Sequence, residues 1–361
     1  MTSFPPLYFT AKAFYNSFPM SNPYSIFDKA EKKRELSKFL EAIPLYLEAM
    51  RLSGKDPELK AACYFSLGDT YRMVGDFTKS GSCYRAAHKL AVAAGDETKA
   101  LDARVGLALS LRATGSLKEA LAIFNESLKA YKKLDDKAGV AFTLWSRAGA
   151  LRLKGELKPA IEGFKEAKTL FSRMRDRGGI GYCLTGLGGA SRVLGKHKDS
   201  NRYYTQANGL FRETKDLFGV AYSYCGIANS MRMMGDFKGS LKFFKKAKDN
   251  YKKIGDKVSY AYTLWGEGTA LQLIGRDAEA QKDFKAAEAL FMETRDRRGL
   301  IYCALSTGEL DFKKDRKKGV KAFGSALKKA EKLGLGVESR YARELLAAAQ
   351  KAPETLPLNL A

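Results

Sequence analysis

One residue recurs at a fixed step, and that step decides what the chain builds. Gly75, Gly115, Gly155, Gly195, Gly235 and Gly275 are spaced 40 residues apart. A second ladder, Asp56, Asp96, Asp136, Asp176, Asp216, Asp256 and Asp296, keeps the same step, offset by about half a period. A period of this size marks stacked repeats, in which each unit buries its apolar face only against its neighbours. Length alone would divide 361 residues into two or so ordinary domains. The ladders predict instead one continuous array of about eight helix pairs.

The two turns in each period leave two segments of similar length, and both read as helices. In Leu157–Met174 the apolar residues Leu157, Ala160, Ile161, Phe164, Ala167, Leu170 and Phe171 follow the 3-and-4 spacing of one helical face. The other segment, Ala141–Leu153, is apolar on more than one side, as expected of a helix packed between neighbours. Asp suits the N-cap and Gly the positive-φ position after a helix. Pro57 and Pro159 fall near predicted helix starts, where Pro is tolerated. Each helix is expected to run about 15–17 residues, or ~25 Å.

The segment Tyr64-x-x-Leu67-Gly68-x-x-Tyr71-x-x-x-Gly75-Asp76, followed by Tyr84 and Ala87, resembles the tetratricopeptide repeat. Later copies keep Leu107, Ala108, Gly115, Ala120 and Phe124, then Ala148, Gly155, Ala160, Phe164 and Ala167, and so on to Phe284 and Ala287. The resemblance covers Tyr24 to Lys351 and implies an all-α, right-handed α-solenoid closed by a C-terminal capping helix. The usual period of that family is about 34; the step of 40 resembles its long-helix members found among regulatory and adaptor proteins. The end copies depart from the pattern. The first has a short second helix, and the last slips by one residue, with Phe323 and Ala326 early and Asp315-Arg316 replacing the Gly turn. Val337–Ala349 reads as a solvating cap helix.

Three regions follow: an aromatic and Pro-rich arm over 1–24, the solenoid over 25–350 and a tail over 351–361. The arm holds Phe4, Tyr8, Phe9, Phe14, Tyr15, Phe18 and Tyr24 with a single charge, Lys12. Two readings stand. It is a disordered tail, or an over-extended start with Met20 as the true initiator; or it is an arm that docks on a partner or on its own solenoid.

Reading down the repeats separates packing columns from polar ones. With Ala61 as position 1, position 12 is Arg72, Arg112, Arg152, Arg192 and Arg232, then Gln272. Positions 2, 5, 9 and 12 share one helical stripe, and the resemblance places that stripe on the concave face. Position 2 holds Phe142, Tyr182, Tyr222, Tyr262 and Tyr302, besides Ala62 and Asp102; position 5 holds Trp145 and Trp265; position 9 holds Asn229 among small or polar residues, including Asp69, Gly149 and Gly189. Arg offers forked donors to carboxylate or phosphate, and Tyr and Trp offer flat area with a polar edge. The expected site is an Arg/Tyr-lined groove for an acidic peptide, with Gly149 and Gly189 making room for the ligand. The competing reading makes the Arg column a ladder paired to acids at position 16 and the Tyr column a staple between repeats.

Charge and composition limit the rest. Lys and Arg number 63 against 40 Asp and Glu, a net +23, which points to an acidic partner. Lys118, Lys158, Lys198 and Lys238 form an outer row, and Asp311–Lys332 adds Lys313, Lys314, Arg316, Lys317, Lys318 and Lys321. Two His and five scattered Cys without a CxxC leave no metal set, no cofactor motif and no disulfide framework. Gly189–His197 mimics a phosphate loop but is one residue too long and sits on a repeat turn. Gly186-x-Gly188 and Gly266-x-Gly268 lack a preceding strand and read as close helix packing. Cys63, Cys183 and Cys303 share a buried column. No transmembrane run or secretory signal is visible. The expectation is a non-catalytic cytoplasmic scaffold or adaptor for an acidic protein or peptide. A nucleic-acid-associated helical repeat is the second choice, and a structural subunit self-associating through end repeats or the arm is the third.

Overall fold

A computed structural model describes residues 22–351 and Leu356. Most of the aromatic arm and of the tail lies outside the described residues. Those described form seventeen helices: α1 (Pro23–Glu35), α2 (Phe39–Leu52), α3 (Pro57–Met73), α4 (Phe77–Ala93), α5 (Glu97–Ala113), α6 (Leu117–Lys133), α7 (Lys137–Lys154), α8 (Leu157–Arg173), α9 (Arg177–Val193), α10 (His197–Glu213), α11 (Leu217–Met233), α12 (Phe237–Ile254), α13 (Lys257–Leu273), α14 (Asp277–Glu293), α15 (Arg297–Phe312), α16 (Arg316–Lys332) and α17 (Gly336–Gln350). They make an α-solenoid of eight pairs and a closing helix.

The two sequence ladders act as anticipated. The Asp carboxylates cap successive odd-numbered helices; Asp136, Asp176, Asp216 and Asp296 each accept from a backbone N–H three residues on at 2.8 Å. The Gly ladder takes positive φ, from 76° at Gly195 to 91° at Gly115 and Gly155. The turn before each Asp also needs positive φ. There Asp135, Arg175, Lys215 and Arg295 adopt φ of 51–57° without being glycine.

The odd helices from α3 to α15 are buried on most sides, whereas even helices keep a broad solvent face; odd helices are therefore the inner layer and even helices the outer one. One aromatic per outer helix locks the layers. Tyr84, Phe124, Phe164, Tyr204, Phe244 and Phe284 are at most 2% exposed. Each wedges between its own inner helix and the next. At Gly226 an added Cβ would lie 2.2 Å from the Tyr204 ring, so only glycine admits it. The Gly-x-Gly pairs are thus packing holes: Gly186 and Gly188 receive Phe164 and Tyr204, and Gly266 and Gly268 receive Phe244 and Phe284. Cys63, Cys183 and Cys303 are buried, as their column suggests.

The superhelix closes on itself. Gly75 lies against Val258, Gly115 against Leu333, Gly155 against Gly336 and Gly255 against Leu40. These partners are separated by roughly four and a half to five and a half repeats, so successive superhelical turns stack with no gap at these points. The expected solvating cap helix does more than cover an end. Val337, Tyr341, Ala342 and Leu345 of α17 are buried. Arg340 Nη2 donates to the Val193 carbonyl at 3.2 Å, and Gly336 packs on the Lys154 carbonyl, so α17 wedges against the first turn. The buried Arg298–Glu338 pair at 2.7 Å ties it to α15.

Candidate functional site

The position-12 arginines project from the last turn of α3, α5, α7, α9 and α11, toward the inside of the superhelix. Arg72, Arg112 and Arg232 are at most 2% exposed, Arg192 is 6% exposed and Arg152 is half-buried. Their surroundings differ along the row. Arg72 Nη2 donates to Asp69 Oδ1 at 2.8 Å, and the same carboxylate oxygen accepts from Tyr84 Oη at 2.6 Å. Arg34, from α1, adds a second cation 3.8 Å from that carboxylate. Arg112 Nη1 donates to the Ser146 carbonyl at 3.0 Å. Arg232 Nη2 donates to Asn229 Oδ1 at 3.3 Å and lies 6.0 Å over the Trp265 ring. In the middle of the row, Arg152 Nε and both Nε and Nη1 of Arg192 have no hydrogen-bond partner among the described residues.

Like charges stacked this way penalise one another. Burial, then Arg152 and Arg72, hold the Arg112 guanidinium well below its usual range. Burial and then Arg192 push Arg232 down to about 9, which still leaves it protonated at neutral pH. Burial, then Arg192 and Arg232, also lower His197. At the far end of the row Gln272 and Glu309 are buried, and burial raises the Glu309 carboxyl well above its ordinary value.

The aromatic columns mostly join repeats. Tyr182 Oη donates to the Asp216 cap at 2.7 Å, and Tyr262 Oη to the Asp296 cap at 3.2 Å. Trp145 Nε1 donates to the Tyr182 carbonyl at 3.2 Å, and its ring sits 5.5 Å from Phe142 and 6.0 Å from Tyr182. Trp265 Nε1 donates to Ser306 Oγ at 2.9 Å and its ring meets Tyr302 at 4.5 Å. Tyr222 packs edge-on to Tyr204 at 6.4 Å. Asn229 is fully buried and also donates to the Cys225 carbonyl at 2.9 Å. Position 9 turns out to serve the arginines. A Cβ on Gly149 would lie 2.3 Å from Arg112 Nη1, and one on Gly189 3.5 Å from Arg152 Nη1. The room expected there for a ligand is, at Gly149, taken by the preceding arginine.

Sequence reasoning passed over Tyr204. Its ring lies under Gly188 and Gly226, and its hydroxyl emerges 3.3 Å from where a Gly189 Cβ would stand. The signal was available: within the position-24 aromatics, Tyr84 and Tyr204 alone carry a hydroxyl among six copies otherwise Phe. The outer row Lys118, Lys158, Lys198 and Lys238 is exposed throughout, as are Lys313, Lys314, Arg316, Lys317, Lys318 and Lys321 in the last repeat. No group of His, Cys, Asp or Glu suited to a metal ion occurs among the described residues. No described helix is long and apolar enough to cross a membrane.

The tetratricopeptide-repeat family model matches residues 61–133 and 99–173. Comparison with curated proteins gave no match. Several solved structures share the fold. A Rap protein complexed with competence and sporulation factor superposes with a TM-score of 0.62 at 10% identity, over 91% of this chain and 98% of that one. The Rap conjugation gene regulator of the plasmid pLS20, in complex with the Phr* peptide, gives 0.64 at 15% identity, over 86% and 96%. Aspartyl phosphate phosphatase F from Bacillus subtilis gives 0.54 at 14% identity, over 91% and 98%. At such identities the likeness speaks for the architecture.

Proposed function

We propose that this chain, a tetratricopeptide-repeat protein by its matched repeats and its fold, is a non-catalytic cytoplasmic scaffold that binds an acidic peptide or protein segment along its inner Arg/Tyr face. The observation that carries the reading is Arg192: a guanidinium 6% exposed, with two nitrogens lacking any acceptor among the described residues, beside the half-buried Arg152, whose Nε also lacks one. A buried cation without an acceptor costs several kcal/mol or is paired by something else, and an incoming carboxylate is the simplest pair. Arg72 and Arg232 have side-chain acceptors at position 9 and Arg112 a backbone carbonyl, which leaves Arg152 and Arg192 as the adjacent pair to which an incoming anion has most to offer. The structural neighbour in complex with the Phr* peptide supports the idea that such a solenoid accommodates a short chain.

The test is charge reversal at Arg152 and Arg192 together. With folding verified by circular dichroism, the double Glu variant is expected to lose its native partners in pull-down and to weaken calorimetric affinity at least ~100-fold, about 2.7 kcal/mol. Unchanged partners at unchanged affinity contradict the reading. A nucleic-acid role draws on the exposed outer lysines. It requires retardation of single- or double-stranded nucleic acid at ~50 mM salt with a steep loss as salt rises.

A further inference from the structure

The first complete repeat shows what the middle of the Arg row lacks. In that repeat a carboxylate at position 9, Asp69, sits between three groups: Arg72 on the same helix, Tyr84 from the outer helix, and Arg34 from the preceding inner helix. Three periods later the same frame returns. Arg192 occupies the place of Arg72, Tyr204 that of Tyr84, and Arg152 reaches over from the preceding inner helix as Arg34 does. At the place of Asp69 stands Gly189. The Tyr204 hydroxyl and Arg152 Nη1 both lie within 3.5 Å of the point where a side chain on Gly189 would begin. Arg192, one turn further along α9, contributes the nitrogens that lack an acceptor.

No other repeat pairs a position-12 Arg with a position-24 Tyr. Where the frame is incomplete, Asn229 serves Arg232 and the Ser146 carbonyl serves Arg112, whereas Arg152 reaches over Gly189 of the next repeat.

We infer that the space above Gly189, between Arg152, Arg192 and the Tyr204 hydroxyl, is a carboxylate subsite, filled by an Asp or Glu side chain or a C-terminal carboxylate of the bound segment. The inference rests on the proposed peptide-binding role and adds to it an address and a donor set. Guanidinium and hydroxyl donors make charge-assisted bonds to a carboxylate; at the Asp69 site Arg72 and Tyr84 bond it directly, and Arg34, bonded to Glu31, adds its charge from 3.8 Å. With no side chain at position 189, the Tyr204 hydroxyl and Arg152 Nη1 close to 3.3 and 3.5 Å of the point where a Cβ would stand, and neither faces a carboxylate of the chain's own at this position.

The experiment installs the missing carboxylate in the chain. Gly189→Asp and Gly189→Asn share the same Cβ and nearly the same shape, so comparing them removes helix propensity and bulk. In full-length protein at pH 7, Gly189→Asp is expected to melt about 2–4 °C above Gly189→Asn. The difference should vanish as pH falls below the ordinary Asp range near 3.9, because the stabilising form is the carboxylate. Equal melting of the two, or a lower value for Asp, overturns the subsite.

Sodium acetate and sodium chloride at matched ionic strength supply an independent arm. Wild type should be stabilised by acetate over chloride in a saturable way, and Gly189→Asp should not. A persisting acetate effect in Gly189→Asp also overturns the assignment. Gly189→Asp should further weaken binding of a carboxylate-bearing peptide by at least ~10-fold. Glu→Gln replacement and C-terminal amidation of that peptide then show which carboxylate enters. If the Asp variant gains nothing while charge reversal at Arg152 and Arg192 still abolishes partner binding, the subsite falls and the broader role stands. If the Asp variant gains stability but charge reversal leaves partners untouched, the subsite stands and the broader role falls.

Discussion

Asp102 is the acidic member of a position otherwise mostly aromatic, and burial pushes its carboxyl up to about 6 although Tyr131 Oη donates to it at 2.6 Å. A folded-state value above the unfolded 3.8 means that its contribution to stability is fully present below that value. It is lost as pH rises toward 6. Asp102→Asn keeps an acceptor for Tyr131 and removes the charge. It is therefore expected to stabilise the protein at pH 7 by on the order of 1–3 kcal/mol. The gain should shrink toward zero as pH drops through 6 to 3.8, measured by urea unfolding at several pH values. At this scale the sequence was partly readable. The five-Arg column stood out because identity was repeated at a fixed step. Which of those arginines have acceptors was not readable, because the acceptors come from two unrelated sources, a position-9 side chain or a backbone carbonyl of the next repeat, and neither reaches Arg152 or Arg192. The Tyr column looked equally suited to ligand or to neighbour until the Tyr182 and Tyr262 hydroxyls were seen on the caps of the following inner helices.

Helix boundaries were the most legible part of the chain. Gly in one turn and Asp in the other report directly on positive φ and on N-capping, and the seventeen-residue helices match the expected length. The turn before each Asp was missed as a positive-φ position because Arg175, Lys215 and Arg295 hold it without glycine, at φ of 56–57°. Non-glycine residues pay roughly 1–2 kcal/mol there. Replacing all three with Gly is expected to raise the unfolding free energy by about 0.5 kcal/mol per site after the entropy cost of glycine, read as a higher denaturant midpoint at unchanged m. Partner affinity should not change, since all three are exposed on turns. The wedge at the layer interface predicts the reverse sign. Gly226→Ala sets a methyl 2.2 Å from the Tyr204 ring, and overpacking of this kind costs about 1–3 kcal/mol. It should also displace the Tyr204 hydroxyl from Gly189, so carboxylate binding should fall along with the melting temperature.

The closure of the superhelix had no counterpart in the sequence pattern. Curvature accumulates from a small rotation at each interface, set by wedge aromatics against Gly or Ser, and no ladder records where one turn meets the next. The contacts that result, such as Gly155 on Gly336 and Val193 on Arg340, join residues with no periodic relation. Gly336→Val tests them: its Cβ would lie 2.1 Å from the Lys154 carbonyl oxygen. Small-angle scattering should show a larger radius of gyration and maximum dimension than in wild type, with helix content unchanged. The same dimensions would mean that α17 does not hold the turns together. The charge of +23 also acquires a distribution at this scale. Lysines face outward on the even helices, while the position-12 arginines are folded inward, largely away from solvent.

The claim that an acidic chain is what those arginines await is tested most directly by selection without prejudice. Full-length protein would be used to enrich a random peptide display library, with the Arg152→Glu, Arg192→Glu double variant as counter-selection. The account predicts that enriched peptides carry Asp or Glu at a shared position, and that Gln or Asn at that position weakens calorimetric binding by at least ~10-fold, about 1.4 kcal/mol. Enrichment of neutral or basic peptides, held equally by wild type and the double variant, would contradict it.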